Sequence, residues 1–174
     1  MLLPAIGFTR RFLSNPVQAG AERADGQDVT QAQSSGARSP ARILVVEDDQ
    51  DISTVLCEVL EGHGYAADAV ENGREALAWL RTPGHRPALI LLDLRMPVMC
   101  GPEFRRWQCL DPQLADIPVL LLSADHRADE VAKALGVAGF LAKPFDLDAL
   151  LAAVAWQVHG ADRRGEAMAA SACT

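Results

Sequence analysis

ILVVEDDQDI, residues 43–52, is the stretch on which the fold turns. Ile43-Leu44-Val45-Val46 is an unbroken apolar run rich in β-branched residues, the pattern of a strand buried on both faces. Three acids interrupt it. Ile52, Val55, Leu56, Val59 and Leu60 then fall at i, i+3, i+4, i+7 and i+8, one stripe of a helix that Gly62 and Gly64 terminate.

Outward from there the same unit repeats. Tyr65 to Val70 reads as a weaker second strand, and Asn72 caps a helix through Ala76, Leu77 and Leu80 that stops before Pro83. Ala88 to Leu92 is a third, solidly apolar strand. Phe104, Trp107 and Leu110 mark a short helix after a Pro/Gly-broken loop. Ile117 to Leu122 is a fourth strand, and Val131, Ala134 and Leu135 mark another helix. Gly139-Phe140-Leu141 is a short fifth strand, and Asp146 caps a last helix with Leu147, Leu150, Leu151, Val154 and Val158 on one face. Trp156 faces away from that stripe. Apolar strands alternating with helices predict an α/β fold, a doubly wound five-stranded parallel sheet with five helices covering both faces.

Composition narrows the function. The 174 residues are 49% apolar and 22% charged, ordinary values for one globular domain. The net charge of −7 is uneven: residues 1–40 carry four basic and three acidic groups, while residues 41–160 carry ten and eighteen. An acidic globule lacks the basic face that displaces counterions from phosphate, so direct nucleic-acid binding is not expected. The four cysteines (Cys57, Cys100, Cys109, Cys173) show no C-x-x-C pairing and lie apart from the four histidines, so the spacing spells neither a zinc cage nor a redox dithiol. They read as reduced thiols of a cytoplasmic protein.

No run approaches the roughly 20 apolar residues of a membrane helix. The apolar start (Met1 to Phe8) precedes Arg10 and Arg11, the reverse of a signal peptide. Residues 1–40 are therefore expected to be a disordered N-terminal extension, residues 41–160 the folded domain, and residues 161–174 a short Ala-rich tail.

In doubly wound sheets ligands bind beyond the carboxyl ends of the strands. Glu47, Asp48 and Asp49 follow the first strand, Asp93 the third, Ser123 the fourth and Lys143-Pro144 the fifth. Carboxylates held together stay ionised when a cation sits among them, and hard oxygen ligands suit Mg²⁺. Lysine supplies a point charge and serine a hydrogen bond for phosphoryl oxygens, and a carboxylate can itself accept a phosphoryl group. The chain has fourteen arginines and two lysines, and one of those two lands at this edge. Plainer roles compete. Asp49 could be helix N-terminal acid and no more, and Ser123 could cap the next helix, although Asp125 stands close by for that task. The exposed Trp156 could anchor a partner or lie under the tail.

ILVVEDDQDI, LILLDLRMP, VLLLSA and FLAKPF, in that order and spacing, resemble the receiver domain of bacterial two-component response regulators over about residues 41–160. The resemblance implies a flavodoxin-like fold and a phosphorylation-controlled switch of the stand-alone, single-domain type. Asp93 would be the phosphoacceptor, taking phosphate from a histidine kinase or histidine phosphotransfer protein. Glu47, Asp48, Asp93 and the backbone carbonyl of Arg95 would hold Mg²⁺, Ser123 and Lys143 would bind phosphoryl oxygens, and the Lys143-Pro144 bond would be cis. Phosphorylation would draw Ser123 inward and shift the surface of the fourth helix, fifth strand and fifth helix toward a downstream protein target.

Three positions depart from the family pattern. Phe140 stands where a switch tyrosine is frequent, which removes any hydroxyl-dependent signal and leaves ring rotation. Arg95 brings a long cation two residues after the acceptor. Cys100 replaces a residue that is often polar or acidic. Two alternatives remain at this point. Asp49-Gln50-Asp51-Ile52-Ser53 spells D-x-D-x-S, resembling the nucleophile motif of haloacid-dehalogenase-type phosphatases with Asp49 as nucleophile. A degenerate receiver that binds partners without phosphate is the other.

Overall fold

The computed structural model describes residues 39–124 and 128–171. Asp125, Cys173 and the N-terminal extension lie outside the described residues. The elements alternate as the sequence predicts: β1 (Arg42–Val46), α1 (Gln50–Gly62), β2 (Ala66–Val70), α2 (Gly73–Leu80), β3 (Leu89–Asp93), α3 (Gly101–Leu110), β4 (Val119–Ser123), α4 (Ala128–Leu135), β5 (Gly139–Ala142) and α5 (Leu147–Ser171). The strands form one sheet in the order β2-β1-β3-β4-β5, every pair parallel. Chain order reverses at β1, so its carboxyl end and that of β3 flank the crevice where such sheets bind ligands.

The uninterrupted apolar runs are explained by two cores, one on each face of the sheet. Leu44, Val46, Ile90, Leu92 and Leu121 pack under α2, α3 and α4 through Ala76, Leu77, Phe104 and Ala132. Ile43, Val45, Leu89, Leu91, Leu120 and Leu122 pack under α1 and α5 through Leu56, Leu60, Leu150, Val154 and Val158. Successive residues of β1, β3 and β4 thus alternate between cores, with no polar residue between the strand ends, whereas the edge strand β2 carries Asp68 at its centre. Each fully buried side chain of this size stabilises the fold by ~1.5–3 kcal/mol.

Helix starts are fixed by short polar side chains. The Asp49 carboxylate accepts from the backbone N–H groups of Asp51 and Ile52 at 2.9 and 3.1 Å. The Asn72 side chain accepts from Arg74 and Glu75 at 3.1 Å each, while Glu75 accepts from the Glu71 N–H at 3.2 Å, satisfying otherwise orphaned donors.

The helical stripes differ in detail from those read off the periodicity. On α1, Leu56 and Leu60 are buried, but Ile52 and Val55 stand in solvent. On α3, Phe104 is buried whereas Trp107 and Leu110 are exposed; the residue that turns inward one turn after Phe104 is Gln108. Its amide Nε2 donates to the carbonyls of Leu114 and Ile117, at 3.0 Å each, and its Oε1 accepts from Arg105 at 2.9 Å. A fully hydrogen-bonded amide can occupy a core position that periodicity assigns to apolar residues. On α5, Leu147 is exposed while Leu150, Val154 and Val158 are buried, and the helix runs on to Ser171, beyond the boundary expected at residue 160.

Candidate functional site

The site is assembled from the residues that directly follow three apolar strands, or end them. Glu47 and Asp48 come after β1, Asp93 ends β3 and Ser123 ends β4. Burial in the strands fixes their backbones, so the side chains at the strand ends are held on rigid supports. Glu47, Asp93 and Ser123 are buried, at 4%, 8% and 2% exposure, while Asp48 faces solvent. The Glu47 N–H donates to the Val70 carbonyl at 3.1 Å, which ties the acidic loop to the end of β2.

Lys143 arrives from beyond β5. Its backbone N–H donates to the Ser123 carbonyl at 2.7 Å, and the Lys143-Pro144 peptide is cis, as the family resemblance implies. The Lys143 ammonium donates to Glu47 Oε2 at 2.6 Å and to Asp93 Oδ1 at 2.8 Å. The second Asp93 oxygen accepts from the Arg95 backbone N–H at 2.6 Å. Asp93 is therefore held from both sides, by a cation and by its own loop.

Electrostatics follow from this packing. Burial pushes the Glu47 carboxyl above its ordinary pKa; the hydrogen bond and charge of Lys143 pull the other way, and Asp93 and Asp48 add to the rise. Burial pulls the Lys143 ammonium down, but its hydrogen bonds to Asp93 and Glu47 and their charges outweigh that, and its pKa is raised. Lys143 is accordingly charged at neutral pH. One ammonium serves two carboxylates here, and the third acid, Asp48, adds more negative charge.

Glu47, Asp48 and Asp93 each offer an oxygen such that all three lie within 4.8 Å of one another. Three hard oxygen donors with an excess of negative charge fit a divalent cation of the Mg²⁺ type. A cleft of about 620 Å³ opens beside them, lined by Asp48, Arg95, Met96, Pro97, Cys100 and Val131. Arg95 and Cys100, two of the departures from the family pattern, thus line the approach to the acids. Cys100 sits at the N-cap of α3 without making a side-chain capping bond. Phe140 lies on β5 opposite Leu121 and is 38% exposed. Trp156, on α5, is 66% exposed, on the side of the helix that the sequence places away from the core.

A family model, the response regulator receiver domain, matches residues 43–155. The chain belongs to the response regulator receiver family. Protein Rrf1 of Nitratidesulfovibrio vulgaris is 38% identical over 115 residues, covering 66% of this chain and 80% of the relative. The alkaline phosphatase synthesis transcriptional regulatory protein SphR of Synechococcus elongatus is 37% identical over 126 residues, covering 67% of this chain and 48% of its own length. The chain thus spans about half of that relative. The chemotaxis response regulator CheY4 of Vibrio cholerae, a solved structure, is 32% identical with a TM-score of 0.62, over 68% of this chain and 98% of that one.

As a receiver-family member the chain is a phosphorylation-controlled response regulator, and the flavodoxin-like fold expected from the sequence is the one found. Receivers are signalling proteins that partner with histidine kinases and downstream targets and bind Mg²⁺ at an acidic pocket. The phosphatase alternative gains nothing. The Asp49 carboxylate is spent capping α1, and Asp51 is exposed in the first turn of that helix, not at a strand end. Among the described residues, no helix is long and apolar enough to cross a membrane.

Two contributors to the site escape the motif reading. A Cβ on Gly101 would lie 2.6 Å from the Asp93 carbonyl oxygen, so only glycine lets α3 start against the end of β3. Val98 holds φ at 66° in the β3–α3 loop, with the Met99 N–H donating to the Pro97 carbonyl at 2.7 Å. That region is unfavourable for a β-branched residue. A glycine opening α3 was the visible signal for the first; nothing in the sequence signals the second.

Proposed function

We propose that Asp93 is the phosphoacceptor of this response regulator and that Glu47, Asp48, Ser123 and Lys143 are its working partners. An Asp93 carboxylate oxygen attacks the phosphorus of a phosphohistidine on a histidine kinase or phosphotransfer protein; the phosphorus–nitrogen bond breaks and an aspartyl phosphate forms. Mg²⁺, held by Glu47, Asp48, Asp93 and the Arg95 carbonyl, would supply charge neutralisation for the phosphoryl oxygens. Lys143, already 2.8 Å from Asp93, offers its ammonium to a phosphoryl oxygen without having to be recruited. The Ser123 hydroxyl, at the end of β4, supplies a hydrogen bond to another.

Drawing Ser123 toward the phosphoryl group shifts the population of the α4, β5 and α5 surface, with Phe140 responding by ring rotation instead of through a hydroxyl. Output then passes by protein contact, with exposed Trp156 on α5 as a candidate anchor. The excess of acids over bases in residues 41–160 supports a protein target over a nucleic acid. A cytoplasmic setting is supported by Cys57, Cys100 and Cys109, which are free thiols. A single receiver domain between flanking segments, residues 41–160, is the working unit of this reading, with phosphorelay as the other route of output.

The observation that carries the proposal is the bridge of one ammonium across two buried carboxylates at the carboxyl edge of the sheet. Its test is intact mass after incubation with acetyl phosphate and Mg²⁺. One added phosphoryl group is expected in the wild type and in Asp49→Asn, and none in Asp93→Asn or with EDTA. Loss in Asp49→Asn with retention in Asp93→Asn would move the nucleophile to Asp49 and refute the assignment.

A further inference from the structure

A second feature lies away from the phosphoryl site. α2 and α3 are wedged together at Gly73, where an added Cβ would sit 2.8 Å from both Met99 Cγ and Phe104 Cβ. Along the turns that follow on α2, a groove of about 490 Å³ opens, lined by Arg74, Leu77, Arg81, Met99, Glu103 and Trp107. Leu77 and Met99 are buried, whereas Trp107 is 48% exposed. An aromatic side chain half in solvent beside buried apolar groups is a surface with unspent apolar area.

Of the two cations lining the groove, one is unpaired among the described residues and the other only loosely paired. Arg42 pairs with Asp68, Arg86 with Asp116, and Arg105 bonds Gln108 and two carbonyls. Arg74 has no carboxylate partner among the described residues, and Arg81 approaches only Asp111, at 3.9 Å and 58% exposed. Two available guanidiniums and a tryptophan on one groove combine the residue types that dominate binding hot spots.

We propose that the α2–α3 groove docks a short acidic protein segment that carries an apolar anchor. The anchor would take the space beside Trp107 over Leu77 and Met99, and its flanking carboxylates would meet Arg74 and Arg81 in bidentate pairs. Charge decides between occupants. A nucleic acid would bring a long polyanion against a domain whose acids outnumber its bases eighteen to ten over residues 41–160, whereas a short acidic segment meets only the groove's own lining, where Arg74 and Arg81 outnumber Glu103. Residues 1–38 of the chain carry four arginines against three acids and are not complementary to the groove. This docking is independent of the assignment of Asp93.

The test uses the full chain and a fluorescein-labelled peptide of glutamates interspersed with leucine and phenylalanine, read by fluorescence polarisation. Lysine-for-glutamate peptide and labelled oligouridylate are the comparison probes, and sedimentation gives the mass. The acidic peptide alone is expected to bind saturably. Arg74→Glu with Arg81→Glu, both at exposed positions, should weaken it by about tenfold or more, as should Trp107→Ala, while Val55→Ala, at an exposed apolar position on α1, leaves it unchanged. Equal binding by the charge-reversed variant overturns the proposal, as does preferred binding of oligouridylate at these residues. A dimer mass abolished by Trp107→Ala gives the groove to a second copy and overturns it too. Absence of saturable binding overturns it outright.

Discussion

Toward the amino ends of the strands, Arg42 meets Asp68 and Arg86 meets Asp116, each at 2.6 Å. At the carboxyl ends Lys143 meets Glu47 at the same 2.6 Å and Asp93 at 2.8 Å. The geometry is nearly the same, but the surroundings differ. The side chains of the arginine pairs are 35–68% exposed, whereas the carboxylate side chains beside Lys143 are 4% and 11% exposed and the lysine side chain 20%. An exposed pair is screened by water and salt and contributes at most about 1 kcal/mol. A buried cluster has given up its hydration and depends on every member, so removing one leaves charge with no compensation. One end of the sheet carries dispensable decoration; the other carries groups that must be held together, as a site does.

The sharpest way to break this contrast is Lys143→Met. It leaves Glu47 and Asp93 buried without their shared cation. A loss of about 2–4 kcal/mol is expected in chemical denaturation, at the lower side of buried-pair losses because Lys143 keeps some exposure, and phosphorylation should fail. Gly101→Ala probes the backbone under the same cluster. Its Cβ would press on the Asp93 carbonyl, so a loss of about 1–3 kcal/mol and slower phosphorylation by acetyl phosphate are expected.

Mg²⁺ should stabilise the carboxyl end alone. At ten times its Kd the ion should add about 1.4 kcal/mol to unfolding, removed by EDTA and by Asp48→Asn, and a thermal melt reads it. At the amino end, Arg86→Ala should cost under about 1 kcal/mol, and less in high salt, with phosphorylation unchanged. A loss as large as that of Lys143→Met would erase the distinction between the two ends.

Most of the fold was legible because the strands are buried on both faces. Ile43–Val46 and Leu89–Leu92 have no polar member, and only a covered parallel sheet accommodates such runs. The convergence of the acids and the lysine was legible for the related reason that polar side chains gather where those runs end. The helix faces were less so. Gln108 entered the core because backbone carbonyls from Leu114 and Ile117 satisfied its amide, a tertiary arrangement that periodicity does not encode. Phe104, Trp107 and Leu110 mark a helix in the sequence without showing which of them faces solvent, so the α2–α3 groove was invisible from it. Nor could the sequence show that Lys143 bridges Glu47 as well as Asp93, since that depends on how closely β1 and β3 bring their ends together.

The central claim is that the buried cluster works on phosphate at one atom set, that of Asp93. Borohydride reduction of the phosphorylated protein, followed by peptide mapping, reads the position of the aspartyl phosphate directly. The account predicts conversion at Asp93 and at no other acid of the chain. Conversion at Asp48 or Asp49, with Asp93 intact, would contradict it.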